Sequence, residues 1–365
     1  MKKNSTTKMK RQVARQKLTV GIDLGDRSSR YCILDEQGEV VSEGSFATTK
    51  PGVAKLFEPM ARCRIALETG CHSPWVSRQL TELGHEVIVA NARNVQLISQ
   101  STRKDDRLDA RTLARLVRID ASLLCPVRHR GAEAQAHLAI IRARDVLVRT
   151  RTLLVNAARG LTKSFGERLR KCGTEQVGLN LASGLDPVIR TVVEPLLAEV
   201  ETLNDRIAEY SRQIEEIAEE HYPEVAGLKK INGVGTLIAL TFVLTVDDPH
   251  RFRRSRDVGC YLGLRPGRRN SGNSEPQMHI SKEGDSHLRR LMVQGAHYIL
   301  GAFGTDCDLR RWGLKLAERG GKNAKKRAVI AVARKLAILL HKLWVSGEAY
   351  DPLRNSNRAG EAAAA

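Results

Sequence analysis

A few carboxylates and one polar loop carry the chemistry open to this sequence. Asp23 closes the apolar run "LTVGIDLG", and Glu68 closes "RIALETG", each two residues ahead of a glycine. Further along, "RKDDRLDARTLARL" supplies Asp105, Asp106 and Asp109. A carboxylate at the end of a buried strand is costly unless a cation or hydrogen-bond donors offset its desolvation. Asp106 and Asp109 are three apart, so on a helix they share a face and repel. If the two strands are neighbours, four carboxylates from two strands and one helix form a hard-oxygen set suited to Mg²⁺. Such ions activate a nucleophile and stabilise a leaving oxygen at a phosphodiester. The plainer reading makes Asp23 and Glu68 turn caps and Asp105 a helix N-cap. Arg107 and Arg111 then neutralise a solvated face.

The polar loop is "RPGRRNSGNSEP", with Ser271 and Ser274 beside arginines. By itself it reads as an exposed turn with no evident base near either serine. Its surroundings are strongly basic. From Arg251 to Lys342 there are 21 Lys/Arg against 7 Asp/Glu. Arg265, Arg268, Arg269, Lys282, Arg289 and Arg290 cluster around the loop and the next helix. As phosphate clamps they would bind nucleic acid without reading its sequence.

These groups need elements to position them. From residue 18 the pattern runs β-β-β-α-β-α-β-α, a mixed α/β layer, with the helix after "RKDD" reaching about Ile119. The middle of the chain is striped instead. Ile140, Ala143, Leu147, Thr150, Leu154, Ala157 and Leu161 step by three and four. So do Leu196, Val200, Leu203, Ile207, Tyr210, Ile214 and Ile217. This spacing predicts a coiled-coil pair. Pro223 ends it. "INGVGTLIALTFVLTV" then reads as a glycine turn running into an apolar helix, like half of a helix–hairpin–helix, whose amides can face a phosphate. Helices are expected near 285–302, 307–318 and 323–345. The division is a basic disordered arm (1–17), a metal-binding α/β domain (18–130), coiled-coil helices (131–222), a mainly α C-terminal domain (223–350) and a disordered tail (351–365).

The net charge of +19 points to a polyanionic partner. Aromatics make up only 4%, which argues against a base-stacking platform. The seven cysteines are scattered and contain no CxxC pair, so a zinc ribbon or disulfide framework is disfavoured. They fit the reducing cytosol. Cys71 and His72 follow Glu68, but two such residues without further ligands suggest a packing or turn role. No apolar run reaches the length of a membrane span.

As a set, "GIDLG", "ALETG" and "KDDRLDA" resemble the Asp-Glu-Asp-Asp (DEDD) motif of a RuvC-like, ribonuclease-H-fold domain. The domain type is that of the DEDD insertion-sequence transposases that use a bridge RNA. "INGVGTLIALTFVLTV", "RFRRSRDVGCYLGLRP", "NSG" and "ISKEGDSHLRRLM" resemble that family's C-terminal domain in order, so the resemblance covers roughly residues 18–345. It implies Asp23, Glu68, Asp106 and Asp109 as ligands of Mg²⁺, or alternatively Mn²⁺. It implies Ser271 as a nucleophile forming a transient serine–DNA ester, with Ser274 as a rival. The partners it implies are double-stranded DNA, a non-coding bridge RNA and further copies of the chain as a dimer or tetramer, in the bacterial cytoplasm at the nucleoid. Two other readings use the same features: a Holliday-junction resolvase or metal nuclease working with water, and a non-catalytic nucleic-acid-binding protein. "GIDLG" also resembles the phosphate loop of sugar kinases, but the second loop of their duplicated half does not appear.

Overall fold

A meander of three antiparallel strands, extended by two parallel ones, forms the N-terminal sheet in the computed structural model, which describes residues 18–91, 106–267, 274, 276 and 278–356. The strands are β1 (Thr19–Asp23), β2 (Ser28–Leu34), β3 (Val40–Ala47), β4 (Arg64–Glu68) and β5 (Glu86–Ala90), in the order β3-β2-β1-β4-β5. β1 pairs with β2 antiparallel and with β4 parallel, and β4 pairs with β5 parallel. Helices α1 (Lys50–Phe57), α2 (Ser73–Glu82) and α3 (Asp106–Ile119) fall between and after the strands as the periodicity predicts.

Alternation along β1 sorts its side chains between two layers. Val20 and Ile22 are fully buried with Val53 and Phe57 of α1 and Val76 and Leu80 of α2. Each such side chain contributes about 1.5–3 kcal/mol of burial. The other face is lined by small residues and carries α3. Ala66 and Ala90 pack with Leu113 and Val117, and Cys32 and Leu34 pack with Ala110 and Ala114. Those α3 positions recur at three- and four-residue steps, one stripe of an amphipathic helix.

Gly21 sets how closely α3 approaches. A Cβ there would lie 2.0 Å from the Ala110 carbonyl oxygen and 2.5 Å from the Ala114 nitrogen. Both are helix backbone and cannot swing aside. Gly21→Ala is therefore expected to push α3 off the sheet and destabilise this unit by about 1–3 kcal/mol. A urea unfolding curve checks this, and an unchanged midpoint would contradict the packing argument.

The described residues form two compact units that divide between His129 and Arg130. The second unit is helical: α4 (Ala132–Ser164), α5 (Pro187–His221), α6 (Glu224–Leu228), α7 (Thr236–Val246), α8 (Arg256–Tyr261), α9 (Ser286–Leu300), α10 (Asp308–Glu318) and α11 (Ala324–Ser346). The chain is thus an α/β N-terminal unit followed by a helical region. α7, apolar all round, is buried from Ala239 to Val246, as expected of a helix at the centre of a core. α9 packs against it, and Met292, Ala296, Val332, Leu336 and Leu340 belong to the same core.

α4 and α5 form an antiparallel pair, shown by contacts of residues 137 with 222, 144 with 211 and 151 with 204. The predicted stripe on α5 is largely the buried one, from Val200 to Ile217. On α4 the buried face is Leu138, Ile141, Val155, Ala158 and Thr162. The expected stripe is displaced because polar residues occupy the middle of the true face. Arg144 Nε donates to Ser211 Oγ at 2.9 Å, and Arg151 Nη1 donates to Asn204 Oδ1 at 2.8 Å. An apolar-period search steps past such residues. Order also extends beyond the expected end at 350. Asp308 accepts from the Asn355 nitrogen at 2.7 Å and from Ser356 Oγ at 2.6 Å, docking that segment on α10. The N-terminal arm (1–17) and residues 357–365 lie outside the described residues.

Candidate active site

Ile22 of β1 lies opposite Leu67 of β4 in a parallel ladder. The next residues, Asp23 and Glu68, therefore leave the sheet at the same edge. Each is two positions from a residue facing α3, Gly21 and Ala66, so both carboxylates are on the α3 side. The close contact of Gly21 with Ala110 brings the first turns of α3 over that edge, and Asp109 immediately precedes Ala110.

The electrostatics reflect this convergence. Glu68 is half-buried, and its pKa is raised above the ordinary glutamate value, first by burial and then by the Asp23 and Asp109 carboxylates. Three of the four predicted acidic ligands thus act on one another across two strands and a helix. Asp106 opens α3, but its side chain lies outside the described residues, as does Asp105. A divalent cation would relieve both contributions to the raised pKa, and an all-carboxylate set suits a hard ion such as Mg²⁺ or Mn²⁺. The residues present fit that ion.

The α3 arginines are engaged elsewhere. Arg111 Nε donates to Glu43 Oε1 at 2.8 Å and Arg107 Nη2 to Glu43 Oε2 at 3.2 Å, tying α3 to β3. Burial pushes the Glu43 carboxyl up, but hydrogen bonds from Arg111 and Arg107 outweigh it and hold the pKa below its ordinary value. His72 accepts from Trp75 Nε1 at 3.1 Å and Cys71 is exposed, in keeping with a turn role for the pair.

The serine loop leaves the second unit from a short antiparallel stalk. Pro266 bridges Ile280, the Gly267 nitrogen donates to the His279 carbonyl at 2.9 Å, and the Ser281 nitrogen donates to the Arg265 carbonyl at 2.9 Å. Arg289 braces its base, donating to the carbonyls of Leu262 at 3.1 Å and Glu283 at 2.7 Å. Arg265 and Lys282 stand exposed on the stalk, and Ser274 is exposed. Arg290 reaches Asp145 of α4 at 2.6 Å. Ser271, Arg268 and Arg269 lie outside the described residues.

Sequence spacing marked neither Glu43 nor a grouping of Glu133, His137 and His221. Glu133 and His137 stand four apart, but the long separation from His221 gives no local signal.

Comparison with known proteins finds two matching families. Residues 20–166 match a transposase family of the DEDD, IS110 type, and residues 225–305 match the family described as transposase IS116/IS110/IS902. The chain is 30% identical over 358 residues to the transposase for insertion sequence element IS1111A of Coxiella burnetii, covering 95% of this chain and 94% of that protein. It is 28% identical to a "Probable family 20 transposase" of Pseudomonas aeruginosa, covering 91% of this chain and 98% of that protein. With the transposase for element IS1328 of Yersinia enterocolitica it shares 27% identity, over 77% of this chain and 83% of that protein.

Proposed function

Because this chain belongs to the IS116/IS110/IS902 family of insertion-sequence transposases, we propose that it recombines DNA through a carboxylate-held divalent ion in its N-terminal unit and a serine nucleophile in its C-terminal unit. The observation that carries the metal half is the raised pKa of Glu68, with Asp23 and Asp109 among its causes. Asp23, Glu68, Asp106 and Asp109 would hold Mg²⁺ or Mn²⁺, which supplies charge neutralisation at the phosphodiester and lowers the pKa of the attacking group. The sheet order β3-β2-β1-β4-β5, antiparallel and then parallel, supports a RuvC-like, ribonuclease-H-like reading of this unit.

In the proposed step, Ser271 loses its proton and its Oγ attacks a DNA phosphorus. The Oγ–P bond forms as one sugar oxygen–phosphorus bond breaks, and the sugar oxygen leaves as a hydroxyl. A hydroxyl end from the partner strand then attacks the same phosphorus and restores the serine. Each ester replaces an ester, so no ATP is needed. Arg265, Arg268, Arg269, Lys282, Arg289 and Arg290 are proposed to hold the DNA backbone, with Arg289 also bracing the stalk. The net charge of +19 suits double-stranded DNA and a bridge RNA. Base pairing by that RNA would choose the sequence while the protein reads backbone shape.

The carboxylates lie in the first unit and the stalk of the serine loop in the second, on either side of the division between His129 and Arg130. We further propose that the protein acts as a dimer or tetramer. No helix among the described residues is long and apolar enough to cross a membrane, and we place the protein with its DNA at the bacterial nucleoid. Chelation by EDTA is expected to stop joining of element ends to target DNA, and added Mg²⁺ or Mn²⁺ to restore it. Joining that persists in metal-free buffer would overturn the metal assignment.

A further inference from the structure

We propose that Glu133, His137 and His221 form a second metal site, specific for a divalent transition ion of the Zn²⁺ class, which staples the start of α4 to the end of α5. A ligand atom of each residue lies within 4.8 Å of those of the other two. Glu133 and His137 are four apart on α4 and so share a face. His221 ends α5, whose antiparallel course returns it to the same place. The group shares no residue with the DEDD set.

The donor geometry is close to that of a bound ion. His221 Nδ1 is 3.2 Å from Glu133 Oε1. Two ligands at ordinary zinc bond lengths and near-tetrahedral angles stand about 3.3 Å apart. The imidazoles of His137 and His221 have ring centroids 5.1 Å apart. His137 Nδ1 lies 3.0 Å from Tyr222 Oη, which leaves Nε2 for the ion. An imidazole metallated on one nitrogen donates from the other, and the Tyr222 oxygen stands ready as that acceptor. Water would complete the coordination at this partly exposed position.

Donor chemistry selects the metal. Two imidazoles and one carboxylate suit Zn²⁺, Co²⁺ or Ni²⁺, whereas Mg²⁺ takes oxygen ligands.

The test equilibrates the full-length protein with Zn²⁺, removes free metal by gel filtration and measures metal content by mass spectrometry. It compares wild type with His137→Gln and His221→Gln, made separately, with far-UV circular dichroism as the check on folding. Wild type is expected to retain one more Zn²⁺ per chain than either variant. Zn²⁺ should raise the unfolding temperature of wild type by more than that of either variant. Equal Zn²⁺ content in all three proteins overturns the proposal, as does failure of wild type to retain the ion. If one variant loses helicity, the other and Glu133→Gln decide the matter.

Discussion

Ser271→Ala is expected to abolish strand joining, and with it any covalent protein–DNA species, while leaving DNA binding in place. The alanine lacks the oxygen that forms the ester, so the loss should be at least about a thousandfold, the scale seen when a covalent nucleophile is removed. Binding survives because the phosphate contacts proposed for Arg265, Lys282 and their neighbours do not involve the hydroxyl. Denaturing gels of the protein with end-labelled DNA read the adduct, and a mobility shift under native conditions reads binding. Ser274→Ala provides the contrast. It is expected to retain joining, and the reverse pattern would move the nucleophile to Ser274. Full activity in both variants would sink the serine mechanism and leave a nuclease that uses water.

The second large effect falls on the sheet edge. Asp23→Asn and Glu68→Gln are each expected to reduce joining by at least about a thousandfold, since several kcal/mol of charge stabilisation at the phosphodiester depend on the metal they hold. Glu68→Gln should also change stability in a direction opposite to most buried substitutions. The folded-state pKa of Glu68 is raised by burial and by the Asp23 and Asp109 carboxylates. Its contribution is therefore fully present below the ordinary glutamate pKa and is lost as pH rises through the elevated folded value. At neutral pH, without metal, the glutamine variant should be the more stable protein, and the difference should vanish below about pH 4. Adding Mg²⁺ should stabilise wild type by linkage, about 2.7 kcal/mol at a hundredfold excess over its dissociation constant, and the variant by much less. Thermal unfolding at two pH values, with and without Mg²⁺, tests all three signs. A metal-free variant less stable than wild type at neutral pH would show that the carboxylates do not repel as described.

Much of this was legible before any coordinates. The five strands and the α3 boundary at Ile119 followed from local periodicity and turn residues. The apolar helix after "NGVG" was equally plain, and so were the three helices that follow the serine loop. The buried face of α4 was not, because Arg144 and Arg151 sit within it, held by Ser211 and Asn204. Their partners lie on α5, more than fifty residues away in the chain, and no local pattern announces them. The docking of Ser356 on Asp308 was hidden for the same reason.

The sequence by itself determined which residues could hold a metal and that each would stand at the end of an element, because strand and helix ends are written in short-range hydrophobic patterning. The tertiary structure alone decided that Asp23, Glu68 and Asp109 act on one another. Parallel pairing of β1 with β4 puts Asp23 and Glu68 at one edge. The missing side chain of Gly21 lets α3 come close enough for Asp109 to act on Glu68. Burial and like charge then combine in a pKa that neither strand nor helix would produce alone. The cluster of Glu133, His137 and His221 arises in the same way, from two helices that run past each other and end together.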